Sequence, residues 1–319
     1  MEKVVLLADK NSDAWRFAEK IQNYFIKEKQ FFIPLEELHV KKFRNGEIDM
    51  HIPENMRKKD VYFIHDSNKN PQEWWIELLL LKDLLLSASA DSISLILPNM
   101  LYSRKDRKEK PHVPISARAL AKSISSGIKR IITMDLHAPQ IQGFYPEEIP
   151  LDNLYSFSEV VKFLEKNSQM IDLKKLVILS PDAGGVDRAR AFAQRLQSEY
   201  PVAFIEKRRV NAGEIEEMRL VGDVQNKEVL IVDDIIDSGG TLCKAADLLK
   251  NQGANKLFCY GTHGIFTLGT SHLCEKFNKV MTSNTHFQRD NIEVIDVSGI
   301  FAEAIYRAQK GLSISKLFE

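Results

Sequence analysis

The chain has 319 residues, 44% hydrophobic and 28% charged, which is enough for two domains and excludes a disordered polymer. Lysine plus arginine and aspartate plus glutamate both number 44, so no net basic field points to a nucleic-acid partner. Cys243, Cys259 and Cys274 have no metal-ligand spacing, and with Met1-Glu2-Lys3 running directly into the strand-like Val4–Ala8 no signal peptide is expected. Reduced core thiols in a cytoplasmic protein are expected.

In chain order, Val4–Leu7 predicts a strand, and Trp15, Ile21 and Phe25 mark a following helix. Val61–Ile64 predicts a strand and Glu73–Ser87 a helix. Its apolar stretch, Trp74–Leu86, is broken by Glu77, Lys82 and Asp83 and is too short for a bilayer, so a buried helix and no membrane partner are expected. Ile93–Leu97 (strand), Ile115–Ser126 (helix) and Ile131–Met134 (strand) continue the alternation. It resumes with Val177–Leu179, a helix over Asp187–Glu199, and a strand over Ala203–Ile205. Val229–Val232, a helix over Leu242–Lys250 stopped by Gly253, and strands at Leu257–Tyr260, Val280–Thr282 and Val294–Ile295 complete it. Such alternation implies α/β domains, each a mainly parallel sheet flanked by helices, joined near Pro150–Asn153. The expected division is 1–150 and 151–319, and ligands are expected beyond the carboxyl ends of the strands, where Asp135, Asp182 and Asp233 stand.

Residues 228–241 organise the chemistry. A continuous apolar strand ends in Asp233 and Asp234, followed by Asp237, Ser238, Gly239, Gly240 and Thr241 and then a helix. The glycines allow positive φ and close backbone approach, and the helix-start amides with the two hydroxyls suit a phosphate. Asp233 and Asp234 repel a phosphate but suit sugar hydroxyls or a divalent cation, so a sugar phosphate is the first reading.

Other segments fit around this loop. Thr133–His137 closes a strand with Asp135 and His137, and Ser180–Gly185 ends another in Asp182 followed by small residues, so an acidic Mg²⁺ pocket is expected. Residues 101–115 form a basic loop with Arg104, Lys105, Arg107, Lys108 and Lys110 that could gather a polyphosphate. Lys207 and Arg209 precede Gly213 and the polar stretch Glu214–Leu220, which reads as a closing hairpin or lid. These cations are candidates to meet charge spreading in a phosphoryl-transfer transition state.

The 228–241 run resembles the phosphoribosyl-pyrophosphate loop shared by type I phosphoribosyltransferases and ribose-phosphate pyrophosphokinases. The remaining segments decide between them. Phe43–Glu47, Tyr102–Lys108, Pro114–Ala117, Thr133–His137, Gln140–Phe144, Asp152–Tyr155, Ser180–Gly185, Val221–Val224, Thr262–Phe266 and Gly311–Phe318 resemble, in this order, segments of the ribose-phosphate pyrophosphokinases. The likeness covers nearly the whole chain.

The resemblance implies two tandem phosphoribosyltransferase-like domains, with the last residues packing back on the first, and a homo-oligomer, typically a hexamer. It implies transfer of the diphosphoryl group of MgATP to the C1 hydroxyl of ribose 5-phosphate. Carried over by position, Asp237, Ser238, Gly239, Gly240 and Thr241 hold the 5-phosphate, Asp233 and Asp234 the ribose hydroxyls, and His137 and Asp182 serve Mg²⁺. Phe43, Asn45 and Glu47 match a segment lent to the adenine of a neighbouring subunit, and Arg104, with Lys105 and Asp106, matches the ATP side. Lys207 and Arg209 match the pair that stabilises the transferring group.

Some positions depart from the family pattern. Lys105 stands where most members have Gln, and His112 and Asn55 replace an Arg and a Ser near a regulatory phosphate site. A phosphoribosyltransferase would share only the central loop. A catalytically silent paralogue would lose the lid cations or the loop aspartates, which are all present here.

Overall fold

Continuous apolar runs become the inner strands of two sheets in the computed structural model, which describes residues 3–208, 217–286 and 292–318. In chain order the first sheet begins with β1 (Val4–Asp9), helix α1 (Asp13–Lys29), β2 (Leu35–Lys42), β3 (Ile48–His51) and β4 (Asp60–Ile64). Helix α2 (Pro71–Ser87), β5 (Ser92–Leu97), helix α3 (Ser116–Ile124), β6 (Arg130–Met134) and β7 (Leu151–Leu154) follow. The strand order is β3-β2-β1-β4-β5-β6-β7, parallel throughout except for the β2–β3 hairpin.

The second sheet repeats the plan. Helix α4 (Phe157–Lys166), β8 (Leu176–Ser180), helix α5 (Val186–Arg195), β9 (Ala203–Arg208) and β10 (Glu217–Val221) lead to β11 (Glu228–Ile236). Then come helix α6 (Gly240–Asn251), β12 (Lys256–Gly264), the one-turn helix α7 (Ser271–Cys274), β13 (Lys279–Ser283) and β14 (Glu293–Ile295). Its order, β10-β9-β8-β11-β12-β13-β14, matches the first sheet place for place, with β9–β10 as the antiparallel pair. Helix α8 (Ser298–Lys310) then returns to the first sheet. One unit comprises Met1–Tyr155, Thr285–Phe287 and Val297–Glu319, the other Ser156–Asn284 and Gln288–Asp296. Residues 151–154, expected near the junction, are the edge strand of the first sheet.

In the first unit, α2 and α3 cover one sheet face and α1 with α8 the other. Phe17, Ile21 and Phe25 of α1 meet Phe301 and Ile305 of α8, with the Phe17 and Phe301 rings edge-to-face at 5.4 Å. Each such side chain contributes about 1.5–3 kcal/mol by leaving water. Helix α2 starts where Asn70 accepts the Gln72 N–H, with Pro71 supplying a fixed φ. It is not buried all round, as the sequence suggested. Trp74, Leu78, Leu81 and Leu85 face the core, but Ile76, Leu80 and Leu86 are exposed at 47%, 39% and 49%. No described helix is long and apolar enough to cross a membrane.

Candidate active site

The second unit brings the residues expected to hold the sugar phosphate together with Asp182 at the carboxyl ends of β8 and β11. Strand β11 does not stop at Val232, where the sequence suggested; it continues through Asp233 and Asp234 to Ile236, paired with β12 as far as Gly264. Gly261 permits this, because a Cβ there would lie 2.4 Å from Ile236 Cγ1. The two carboxylates are therefore held by a central strand and not by a loose turn.

Arg188, on α5, is the residue that sequence reasoning missed. Its Nη1 lies 3.1 Å from Asp234 Oδ1 and 3.9 Å from Asp233 Oδ1. A cation one helical turn after the Asp182 loop was the available signal. Asp182 lies at the end of β8, where its Oδ1 accepts the Gly185 N–H at 3.1 Å and its Oδ2 lies 3.9 Å from Lys207 Nζ. Burial first, and then the neighbouring carboxylate of Asp234, push Asp233 well above the ordinary aspartate range, with Asp182 adding to the effect and Arg188 opposing it. Three carboxylates thus face two cations. Such a pocket suits a ligand that brings hydroxyl donors or a divalent cation.

The glycine loop follows directly. Gly239 adopts φ +76 and caps α6 without any side-chain hydrogen bond of its own. Gly240 N–H reaches Ser238 Oγ only at 3.5 Å. The connection after β12 frames the loop. Thr267 donates from N–H to Asp237 O at 3.2 Å and from Oγ1 to Asp237 Oδ1 at 2.8 Å, and His272 Nε2 meets Ser238 O at 2.8 Å. Ser238, Gly240 and Thr241 are exposed at the head of the 12-residue helix α6, the setting in which helix-start amides bind an anion.

Lys207 lies on β9, whose antiparallel partner β10 makes the expected hairpin, with Arg208 opposite Glu217. Arg209 and residues 210–216 lie outside the described residues.

The residues expected on the ATP side belong to the first unit. Phe43, Asn45 and Glu47 form the tip of the β2–β3 hairpin, closed by Phe43 N–H to Glu47 O at 2.8 Å and Glu47 N–H to Asn45 Oδ1 at 3.2 Å. Phe43 is 57% exposed. Arg104 and Lys105 are exposed on the loop after β5; Lys105 pairs with Glu109, and Asp106 accepts a hydrogen bond from Gln140. His137 is exposed just beyond β6, whereas Asp135 is buried and held by its backbone to Leu154 O. The expected acidic metal pocket is not a ready-made cage: no three His, Cys, Asp or Glu side chains converge as a metal group among the described residues. Asp182, half exposed and among crowded carboxylates, still fits Mg²⁺, which keeps waters and substrate oxygens and needs only one or two carboxylates.

Residues 8–127 match the family model described as the N-terminal domain of ribose phosphate pyrophosphokinase, and residues 151–293 match the phosphoribosyl transferase domain. A ribose-phosphate pyrophosphokinase of Rhizobium meliloti is 38% identical over 311 residues, covering 95% of this chain and 96% of that protein. One from Campylobacter jejuni is 39% identical, covering 95% of each chain. The crystal structure of phosphoribosylpyrophosphate synthetase from Mycobacterium smegmatis superposes with a TM-score of 0.83 at 28% identity, over 97% of this chain and 99% of that one.

Proposed function

Because the chain belongs to the ribose-phosphate pyrophosphokinase family, we propose how its residues divide the work of that reaction. The enzyme forms 5-phosphoribosyl 1-pyrophosphate from ribose 5-phosphate and ATP, a transferase step of nucleotide biosynthesis. Asp237, Ser238, Gly239, Gly240 and Thr241 hold the 5-phosphate through backbone amides and hydroxyls. Asp233 and Asp234 accept hydrogen bonds from the ribose hydroxyls, with Arg188 keeping Asp234 in place. The sugar is then anchored at both ends, and its C1 hydroxyl is oriented toward the β-phosphorus of ATP for in-line attack. Lys207, with Arg209, meets the charge that spreads over the diphosphoryl oxygens as it transfers.

Asp182 and His137 would hold Mg²⁺, which when bound supplies positive charge to the phosphate oxygens. Arg104, Lys105 and Asp106 serve ATP, and Phe43, Asn45 and Glu47 contact the adenine held by a neighbouring copy. This assigns a homo-oligomer, a hexamer by family likeness, acting in the cytoplasm. The exposed Phe43 at the hairpin tip and the apolar outer face of α2 support such contacts.

The observation that carries the reading is the ion-pair approach of Lys207 to Asp182, beside the strand that delivers Asp233 and Asp234 to the glycine loop. The test is AMP release from ATP and Mg²⁺, with and without ribose 5-phosphate. AMP should depend on the sugar phosphate, and Lys207→Ala should lower kcat by ~10²–10⁴. Intact wild-type protein that releases no AMP would overturn the assignment.

A further inference from the structure

The one-turn helix α7 takes no part in the roles assigned above, yet its second residue reaches the backbone of the glycine loop. His272 Nε2 lies 2.8 Å from Ser238 O. A carbonyl only accepts, so the imidazole donates from Nε2. The same ring closes over Gly239: a Cβ there would lie 2.9 Å from His272 Nε2 and 2.9 Å from Leu273 Cδ1. The residue must therefore be glycine for two reasons, its φ of +76 and the helix packed against it.

The consequence follows from peptide geometry. In a planar trans peptide the C=O and the next N–H point in opposite directions. Tying Ser238 C=O to His272 aims the Gly239 N–H away from α7. Thr267 fixes the other end of the loop through both Asp237 O and Asp237 Oδ1. The loop before α6, which has no side-chain cap of its own, is thereby braced from outside.

We propose that His272 is a positioning residue for the sugar-phosphate loop, setting the Ser238–Gly239 peptide so that its amide is preorganised for the 5-phosphate. This rests on the reading of residues 237–241 as the phosphate site. Its mark is a selective effect on the sugar-phosphate substrate, since ATP is assigned to other residues.

Three variants at one position separate donor from shape. His272→Phe keeps a ring over Gly239 but cannot donate; His272→Gln keeps a donor at similar reach; His272→Ala removes both. With the purified full-length enzyme, His272→Phe and His272→Ala should raise KM for ribose 5-phosphate about tenfold, the scale of one lost hydrogen bond. KM for ATP should stay within about twofold, and His272→Gln should recover most of the loss. The double variant Ser238→Ala/Thr241→Ala serves as the reference for the loop itself. If it raises KM for ribose 5-phosphate while His272→Phe matches wild type, the positioning role is wrong and the loop assignment stands. If neither changes that KM, the loop assignment fails as well. Equal KM rises for both substrates in His272→Phe, or no rescue by His272→Gln, would reduce His272 to a general packing role and overturn the proposal.

Discussion

In the first unit the connection from β4 to α2 carries Lys69, whose Nζ lies 2.7 Å from Asp9 at the end of β1 and 2.8 Å from Glu77 on α2. At the same place in the second sheet, between β11 and α6, no lysine follows the strand, and Asp233, Asp234 and Asp182 share Arg188 and Lys207 at 3.1–3.9 Å. The helix starts differ as well. The amides of α2 are occupied by Asn70 and reduced by Pro71, whereas α6 begins after a left-handed glycine with no side-chain cap. Glu77 is 2% exposed and Asp182 is 50% exposed. One strand order thus supports two outcomes. A switch point becomes structural when the chain neutralises its carboxylates at close range and caps the helix, and it stays open to a ligand when carboxylates outnumber the cations near them and the helix start has no side-chain cap.

Substitutions can break this contrast. Burial alone would lower the Lys69 pKa, but Glu77 and Asp9 overcome it and hold the ammonium charged. Lys69→Met strands two buried carboxylates and should cost about 3–5 kcal/mol in urea unfolding, with part recovered in Lys69→Met/Glu77→Leu. Arg188→Met, its counterpart, strands the buried Asp234 and should cost less stability than Lys69→Met, while weakening ribose 5-phosphate binding about tenfold. A Lys69→Met enzyme as stable as wild type would dissolve the distinction.

His65 sharpens it further. The ring is buried, stacked on Trp74 at 5.3 Å, and bonded from Nε2 to Trp74 O at 2.9 Å. Burial, aided by Lys69 and opposed by the Trp74 hydrogen bond, pushes its pKa down to about 3. The unfolded imidazole takes up a proton near pH 6.5 and the folded one does not, so stability falls as pH drops from about 6.5 toward 3. At pH 5 this share is about 2 kcal/mol, and above about pH 7 it is absent. His65→Gln keeps the donor and should flatten the pH dependence of unfolding over that window. A slope unchanged from wild type would contradict the burial argument.

The smallest effect belongs to the cap. Asn70→Ala should cost about 1 kcal/mol, read as a lower thermal midpoint. Catalysis should be unaffected, because the proposed substrate contacts lie on other elements.

What the sequence made legible follows from how each signal arises. Runs such as Leu95–Leu97 and Val229–Val232 announce buried parallel strands because both faces are covered. Strands β2 and β3 escaped notice because they are partly exposed, with charged residues among the apolar ones and only Leu38 fully buried. Helix α8 was readable in principle, with Ile300, Phe301, Ala304 and Ile305 at helical spacing. The end of β11 was misplaced because consecutive aspartates read as a strand stop, while the glycine at 261 leaves room for the strand to continue beside β12. Residue types at the site were visible in order along the chain. The bracing of the loop by Thr267 and His272 was not, since it arises only when β12 lies beside β11.

Helix α8 has a consequence for synthesis. The second unit draws its residues from one continuous stretch plus a short return, but the first cannot complete its α1 face until Ile300, Phe301 and Ile305 arrive. On a ribosome, the unit translated later can therefore close its core before the one begun first. Until then Phe17, Ile21 and Phe25 present a greasy surface, and a nascent chain halted ahead of residue 298 would be a client for chaperones.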